Sequence, residues 1–194
     1  MPHSVQGALG RLLSRRSVPS RLLAAPGPDA AQLRRMLEAA SRVPDHGNLA
    51  PWRFIAIDGD ARLALGERLA ARARVRDPGA PDAVVEKARR RFAQAPLVVA
   101  VVCRPLRDHK VPVIEQQLTT GCVCFALLQA ADALGFGAQW LTGWAAYDRP
   151  FLTELGLAPD EELLGFVHIG TPTEVVPDRE RPDPDARLSA WRPL

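Results

Sequence analysis

Three adjacent residues near the start of the chain, Arg15, Arg16 and Ser17, form the first combination suited to holding a ligand. Residues 5–15 put apolar side chains at Ala8, Leu9, Leu12 and Leu13, one face of a helix. The triplet stands where that helix meets a proline-broken stretch. Two guanidinium forks and a hydroxyl at such a turn suit a phosphate. Paired arginines at a helix C-terminus also complement the helix dipole, so the triplet alone leaves both readings open. A second group lies in the run Arg42-Val43-Pro44-Asp45-His46-Gly47-Asn48-Leu49-Ala50-Pro51-Trp52-Arg53-Phe54. It places Arg42, His46 and Asn48 in a loop directly before an expected strand, and loops on rigid scaffolds commonly bind ligands. An ordinary polar connection fits the same residues.

Other chemistries have less support. Cys103, Cys122 and Cys124 form neither an even disulfide set nor a paired CxxC zinc spacing, and all three are expected to be buried thiols. No strand–GxGxxG–helix is present, because Gly135-Phe136-Gly137 ends a helix and lacks the third glycine, and no GxSxG occurs. No metal site is expected.

The elements that must position these residues follow from periodicity and breakers. Asp29 with Gln32 three residues on is a capping box opening a helix with Leu33, Met36, Leu37 and Ala40 on one side. That helix stops before Pro44. Residues 52–57 (WRFIAI) read as a strand, 60–74 and 82–92 as amphipathic helices, and 97–103 (LVVAVVC) as a strand covered on both faces. The longest helix covers 113–134 and is almost wholly apolar from Cys122 to Leu128, which requires burial on all sides, in part against a second subunit. Strands at 138–142 and 163–169 and a short helix at 150–155 complete the core. From Gly170 onward the chain turns to proline, aspartate and arginine and is expected to lie outside the core as a tail or an arm, with Leu188, Ala190 and Trp191 favouring the arm.

The 194 residues suit one domain with a real core. The net charge of +3 is spread among 22 acidic residues; Arg72/Arg74/Arg76 and Arg89/Arg90/Arg91, flanked by Glu67, Asp77 and Glu86, read as solvated helix faces. The apolar run 123–131 falls well short of the ~20 residues of a membrane span, and no signal-peptide pattern opens the chain, so a cytoplasmic protein is expected.

Taken in order, RRS at 15–17, PDHxxxxPWRF at 44–54, HKVPxxEQ from His109, a long helix closing in LGFGAQW, and GxxHIGTP near the end resemble the nitroreductase family, in its small YdjA-like subgroup. The similarity covers residues 15–172. It implies an α+β, nitroreductase-like fold with a central, mainly antiparallel sheet flanked by helices. The expected unit is a homodimer formed through the long helix, with FMN at the subunit interface. Residues 1–194 would be one nitroreductase-like domain, with 173–194 its C-terminal arm or tail.

The resemblance further implies that Arg15, Arg16 and Ser17 hold the FMN phosphate and ribityl chain. Arg42, His46 and Asn48 match flavin-side loop positions, the first two commonly contributed across the dimer. Trp140, Leu141 and Thr142 match a strand end beside the flavin, and Ala130, Ala131, Asp132, Ala133, Leu134 and Gly135 match a stretch assigned to the nicotinamide nucleotide. The implied activity is hydride transfer from NAD(P)H through FMN to nitroaromatic, quinone or similar small acceptors, with no catalytic side chain, nucleic acid or membrane involved. Ala50 departs from the usual glutamine and Leu141 from an arginine, so Leu141 would contact flavin through its backbone. Arg179, Arg181 and Arg187 are unranked candidates for a further phosphate contact. The alternatives are a flavoprotein of specialised role, such as flavin storage or dehalogenation, and a basic nucleic-acid-binding module.

Overall fold

The computed structural model of the protein describes residues 5–193. Its centre is the strand β3 (Leu97–Cys103), whose seven residues are all buried. Alternation sends Val98, Ala100 and Val102 to one face of the sheet and Leu97, Val99 and Val101 to the other, and each set joins a separate apolar cluster. This two-sided covering is the reason the segment reads as an unbroken apolar run.

On either side of β3 run β2 (Trp52–Asp58) and β5 (Glu162–Pro172); β5 also pairs with β4 (Gly137–Leu141) and, at its end, with the two-residue β1 (Leu23–Ala24). Every pairing is antiparallel. The expected α+β sheet is therefore present. Below it, α3 (Ala61–Arg76), α4 (Asp82–Arg90) and α6 (Arg149–Glu154) supply Leu65, Leu69, Ala88, Phe151 and Leu152, gathered around Phe92 and Phe166. Above it lie α2 (Ala30–Ala40) and α5 (Val113–Ala133), with α1 (Val5–Ser14) against α5.

The helix boundaries follow the chemistry of their ends. At α2 the capping box is complete: the Asp29 carboxylate accepts the Gln32 N–H at 2.7 Å, and the Gln32 side chain accepts the Asp29 N–H at 2.9 Å. At the end of α5, Gly135 takes φ +84°, and the N–H groups of Gly135 and Phe136 return to the carbonyls of Asp132 and Ala131. That is the glycine-dependent stop which lets the chain reverse straight into β4.

Three expectations change. Gly170 is buried, and β5 runs on through Pro172, because pairing with β4 and β1 holds residues that composition alone places outside the core. A side chain at Gly170 would meet Pro96 at 2.6 Å, so the close crossing there needs glycine. Cys122 is exposed, whereas Cys103 and Cys124 are buried as expected. The arginine triplet at 89–91 is not uniformly solvated: Arg89 and Arg90 pair with Glu86 and Arg89 also with Glu67, but Arg91 turns inward. No described helix is long and apolar enough to cross a membrane.

His168, fully buried on β5, stacks on Phe92 and lies with Nε2 3.2 Å from the Arg91 carbonyl, so Nε2 donates. Burial pushes its pKa down from 6.5 to about 4. Between those values the unfolded chain binds a proton that the folded one excludes. Stability is therefore complete above about pH 6.5 and decreases by up to about 3 kcal/mol as pH falls to 4. Urea unfolding across that range should show this loss in the parent and a markedly flatter profile in His168→Gln; equal slopes would contradict the assignment.

Candidate functional site

The N-terminal triplet stands where α1 meets the end of α5. Val18 N–H donates to the Ala138 carbonyl at 3.1 Å, which pins the segment to β4. The Arg15 guanidinium donates to Ser17 Oγ at 3.2 Å. Arg16 pairs with Asp178 at 2.8 Å, and Arg181 reaches the same carboxylate at 3.0 Å and the Arg15 carbonyl at 3.4 Å. The C-terminal segment thus returns to the triplet. Arg15 is held below its ordinary pKa, first by burial, then by repulsion from Arg181 and Arg179. Asp132, on the last turn of α5, offsets part of this and also lies 3.9 Å from Arg11. Four guanidinium groups beside one hydroxyl leave an excess of positive potential that an anion would relieve. A cavity of about 200 Å³ opens here, bounded by Arg16, Val18, Asp132, Gly135 and Phe136.

Among the three arginines left unranked by sequence, Arg179 and Arg181 stand at this cluster. Composition showed a tail of proline, aspartate and arginine but nothing of its path. Of the stretch 130–135, Ala130 and Ala131 are buried in the core, so its accessible surface comes from Asp132, Ala133, Leu134 and Gly135.

The loop before β2 lies toward the opposite end of α5. The Thr119 hydroxyl donates to the Pro44 carbonyl at 3.1 Å, the Thr120 hydroxyl to the Pro51 carbonyl at 3.2 Å, and the Asp45 carboxylate accepts the Ala50 N–H at 2.7 Å. These bonds hold Asn48 at φ +52° and Ala50 at φ +46°, left-handed conformations costing roughly 1 kcal/mol or more for alanine. Arg42, His46 and Asn48 are all exposed on this braced loop. His46 Nδ1 lies 2.6 Å from the Glu115 carboxylate in the first turn of α5. Glu115 belongs to the HKVPxxEQ motif but had been given no role of its own.

From Glu115 to Asp132 is seventeen residues of α5, roughly 25 Å at about 1.5 Å per residue. One protomer therefore holds the guanidinium cluster and the His46 loop well apart. The third group stands at the end of β4. The Trp140 indole lies over Gly165, where a side chain would meet it at 1.9 Å, and its Nε1 donates to the Leu164 carbonyl at 2.9 Å. Leu141 and Thr142 are half-buried, and the Thr142 carbonyl accepts from Arg91 at 2.6 Å. Where β4 stops, a cavity of about 460 Å³ lies against β5, lined in part by Gln117, Tyr147, Glu162, Leu163 and Leu164. Sequence reasoning missed Arg91; its signal is the spacing Val85, Ala88, Arg91, which continues the buried row of α4.

The nitroreductase family model matches residues 12–171. Over 166 residues the chain is 39% identical to YdjA of Escherichia coli K12, named as a candidate NAD(P)H nitroreductase, covering 85% of this chain and 88% of that one. A nitroreductase-like family protein from Bacillus cereus superposes with TM-score 0.81 at 19% identity, covering 95% of each chain. A Desulfovibrio desulfuricans structure described as a nitroreductase in complex with FMN superposes with TM-score 0.74 at 21% identity, covering 96% of this chain and 98% of that one. With the family model matching residues 12–171 and a relative 39% identical over 85% of its length, the chain belongs to the nitroreductase family.

Proposed function

We propose that this protein is an FMN-dependent NAD(P)H oxidoreductase, acting as a homodimer on nitroaromatic, quinone or similar small acceptors. The observation that carries the reading is the cluster of Arg15, Arg16, Arg179 and Arg181 around Ser17. Its excess of positive charge over Asp178 and Asp132 and its hydroxyl fit a terminal phosphate, and the YdjA and FMN-bound relatives support flavin as the bearer. The chemistry FMN supplies when bound is hydride transfer, from NAD(P)H in one half-reaction and to the acceptor in the other. The chain's own residues bind and orient: the arginines and Ser17 hold the phosphate, and Trp140, Leu141 and Thr142 border the ring. Asp132, Ala133, Leu134 and Gly135 offer the accessible part of the nicotinamide stretch.

A dimer is supported by what α5 leaves uncovered. Ile114, Leu118, Cys122 and Phe125 follow one another at spacings of four, four and three, and Ile114, Leu118 and Phe125 are 58%, 63% and 46% exposed. The stripe continues to Gln129, whose amide nitrogen is buried without a partner among the described residues. Leu9, Leu12 and Leu13 of α1 add exposed apolar surface nearby. In a two-fold pairing of antiparallel α5 helices, the Arg42–His46 loop of one protomer approaches the guanidinium cluster of the other, joining the separated halves.

Purified protein supplied with FMN should show a flavin absorption spectrum that bleaches with NADH or NADPH and recovers with a nitroaromatic. Arg15→Ala with Ser17→Ala should weaken FMN retention at least tenfold, since charge-assisted hydrogen bonds contribute about 1.5–3 kcal/mol each. Unchanged flavin content in that double variant would refute the phosphate assignment. Leu118→Asp should convert the sedimenting species from dimer to monomer with loss of flavin, and a dimer retaining its flavin would refute the α5 interface.

A further inference from the structure

Arg91 is a half-buried cation without an anion among the described residues. Its neighbours Arg89 and Arg90 reach Glu86 and Glu67 at the surface, but Arg91 takes part in no ion pair among the described residues. Its Nη2 donates to the Thr142 carbonyl at 2.6 Å, its guanidinium carbon stands 5.9 Å from the Phe166 ring centre, and its Nε is buried with no partner. A charge placed this way, with no counter-ion and one N–H left unpaired, costs folding stability. Burial pulls its pKa down from the ordinary arginine value, yet a guanidinium remains protonated throughout the physiological range.

The residue it touches gives the charge a use. Thr142 closes the segment bordering the proposed flavin, and Gly143 follows at φ +62° and ψ −174°, a conformation that requires glycine. A Cβ at Gly143 would stand 3.2 Å from Arg91 Nη1, so the guanidinium lies directly against this turn. Thr142 C=O and Gly143 N–H belong to one peptide unit. A charged donor on the carbonyl polarises that unit and strengthens its N–H, which makes no hydrogen bond within the described chain.

We propose that Arg91 is a positioning residue for the flavin: it fixes the Thr142–Gly143 turn and, through that peptide, biases the site toward the reduced, more electron-rich cofactor. This rests on the FMN reading above. Negative charge grows on a flavin as it is reduced, and a fixed positive charge behind a polarised N–H stabilises the reduced form more than the oxidised one.

The test uses FMN-loaded protein carrying Arg91→Met, Arg91→Gln or Arg91→Lys. Two quantities are read: the dissociation constant for oxidised FMN and the midpoint potential of the bound flavin. Arg91→Met and Arg91→Gln should each lower the relative affinity for reduced over oxidised FMN about tenfold, equivalent to about 30 mV for a two-electron couple. Arg91→Lys should keep the potential close to the parent's. A residue of merely structural importance would weaken both oxidation states equally, and an unchanged potential in whichever neutral variant folds overturns the inference. Parent protein that takes up no FMN overturns the FMN reading and this inference together; FMN-loaded variants at the parental potential overturn this inference alone.

Discussion

Helix α5 places its apolar residues on two faces, and the sheet can cover only one of them. Val123, Cys124, Leu127 and Ala131 fill the cluster above β3, while Ile114, Leu118 and Phe125 face outward. A single protomer is therefore a folded domain with an unburied seam. The same helix separates the polar groups that a ligand would need, with Glu115 and the His46 loop toward one end and Asp132 and the arginines at the other. Pairing two such helices would bury the seam and bring the groups together, so assembly and site formation become one process in this account.

Electrostatics divide the molecule in a related way. Arginines of α3 and α4 are largely neutralised nearby, as with Arg72 and Asp148 at 2.7 Å or Arg90 and Glu86 at 2.8 Å. Two places near the proposed flavin site are compensated less fully. One is the cluster around Arg15, where burial and then repulsion among guanidiniums lower the Arg15 pKa; the other is Arg91, which meets a carbonyl and an aromatic ring but no carboxylate. Both lie beside residues that the proposed function assigns to flavin.

Much of this was legible in the sequence because local rules and tertiary needs agree. The capping box at Asp29, the apolar run of β3 and the glycine stop after α5 each specify an element and its end. The path of residues 173–187 was not legible, since their positions depend on ion pairs such as Arg16–Asp178 between segments far apart in sequence. Burial of Gly170 was missed because strand pairing, rather than side-chain hydrophobicity, holds it. The inward turn of Arg91 was hidden by a triplet whose first two members are solvated. The loop motif gave His46 but not its brace on Glu115, which appears only once the helix is laid across the sheet.

The central claim is that each flavin site takes its arginines from one protomer and its His46 loop from the other. Mixing two defective proteins tests it directly: Arg15→Ala with Ser17→Ala in one, and Arg42→Ala with His46→Ala in the other, unfolded together and refolded with FMN. A site shared across the two-fold leaves one intact copy in every mixed dimer, so flavin content should rise above that of either defective protein refolded alone. A site contained within one protomer leaves none intact, and flavin content no higher in the mixture than in its components would contradict the account.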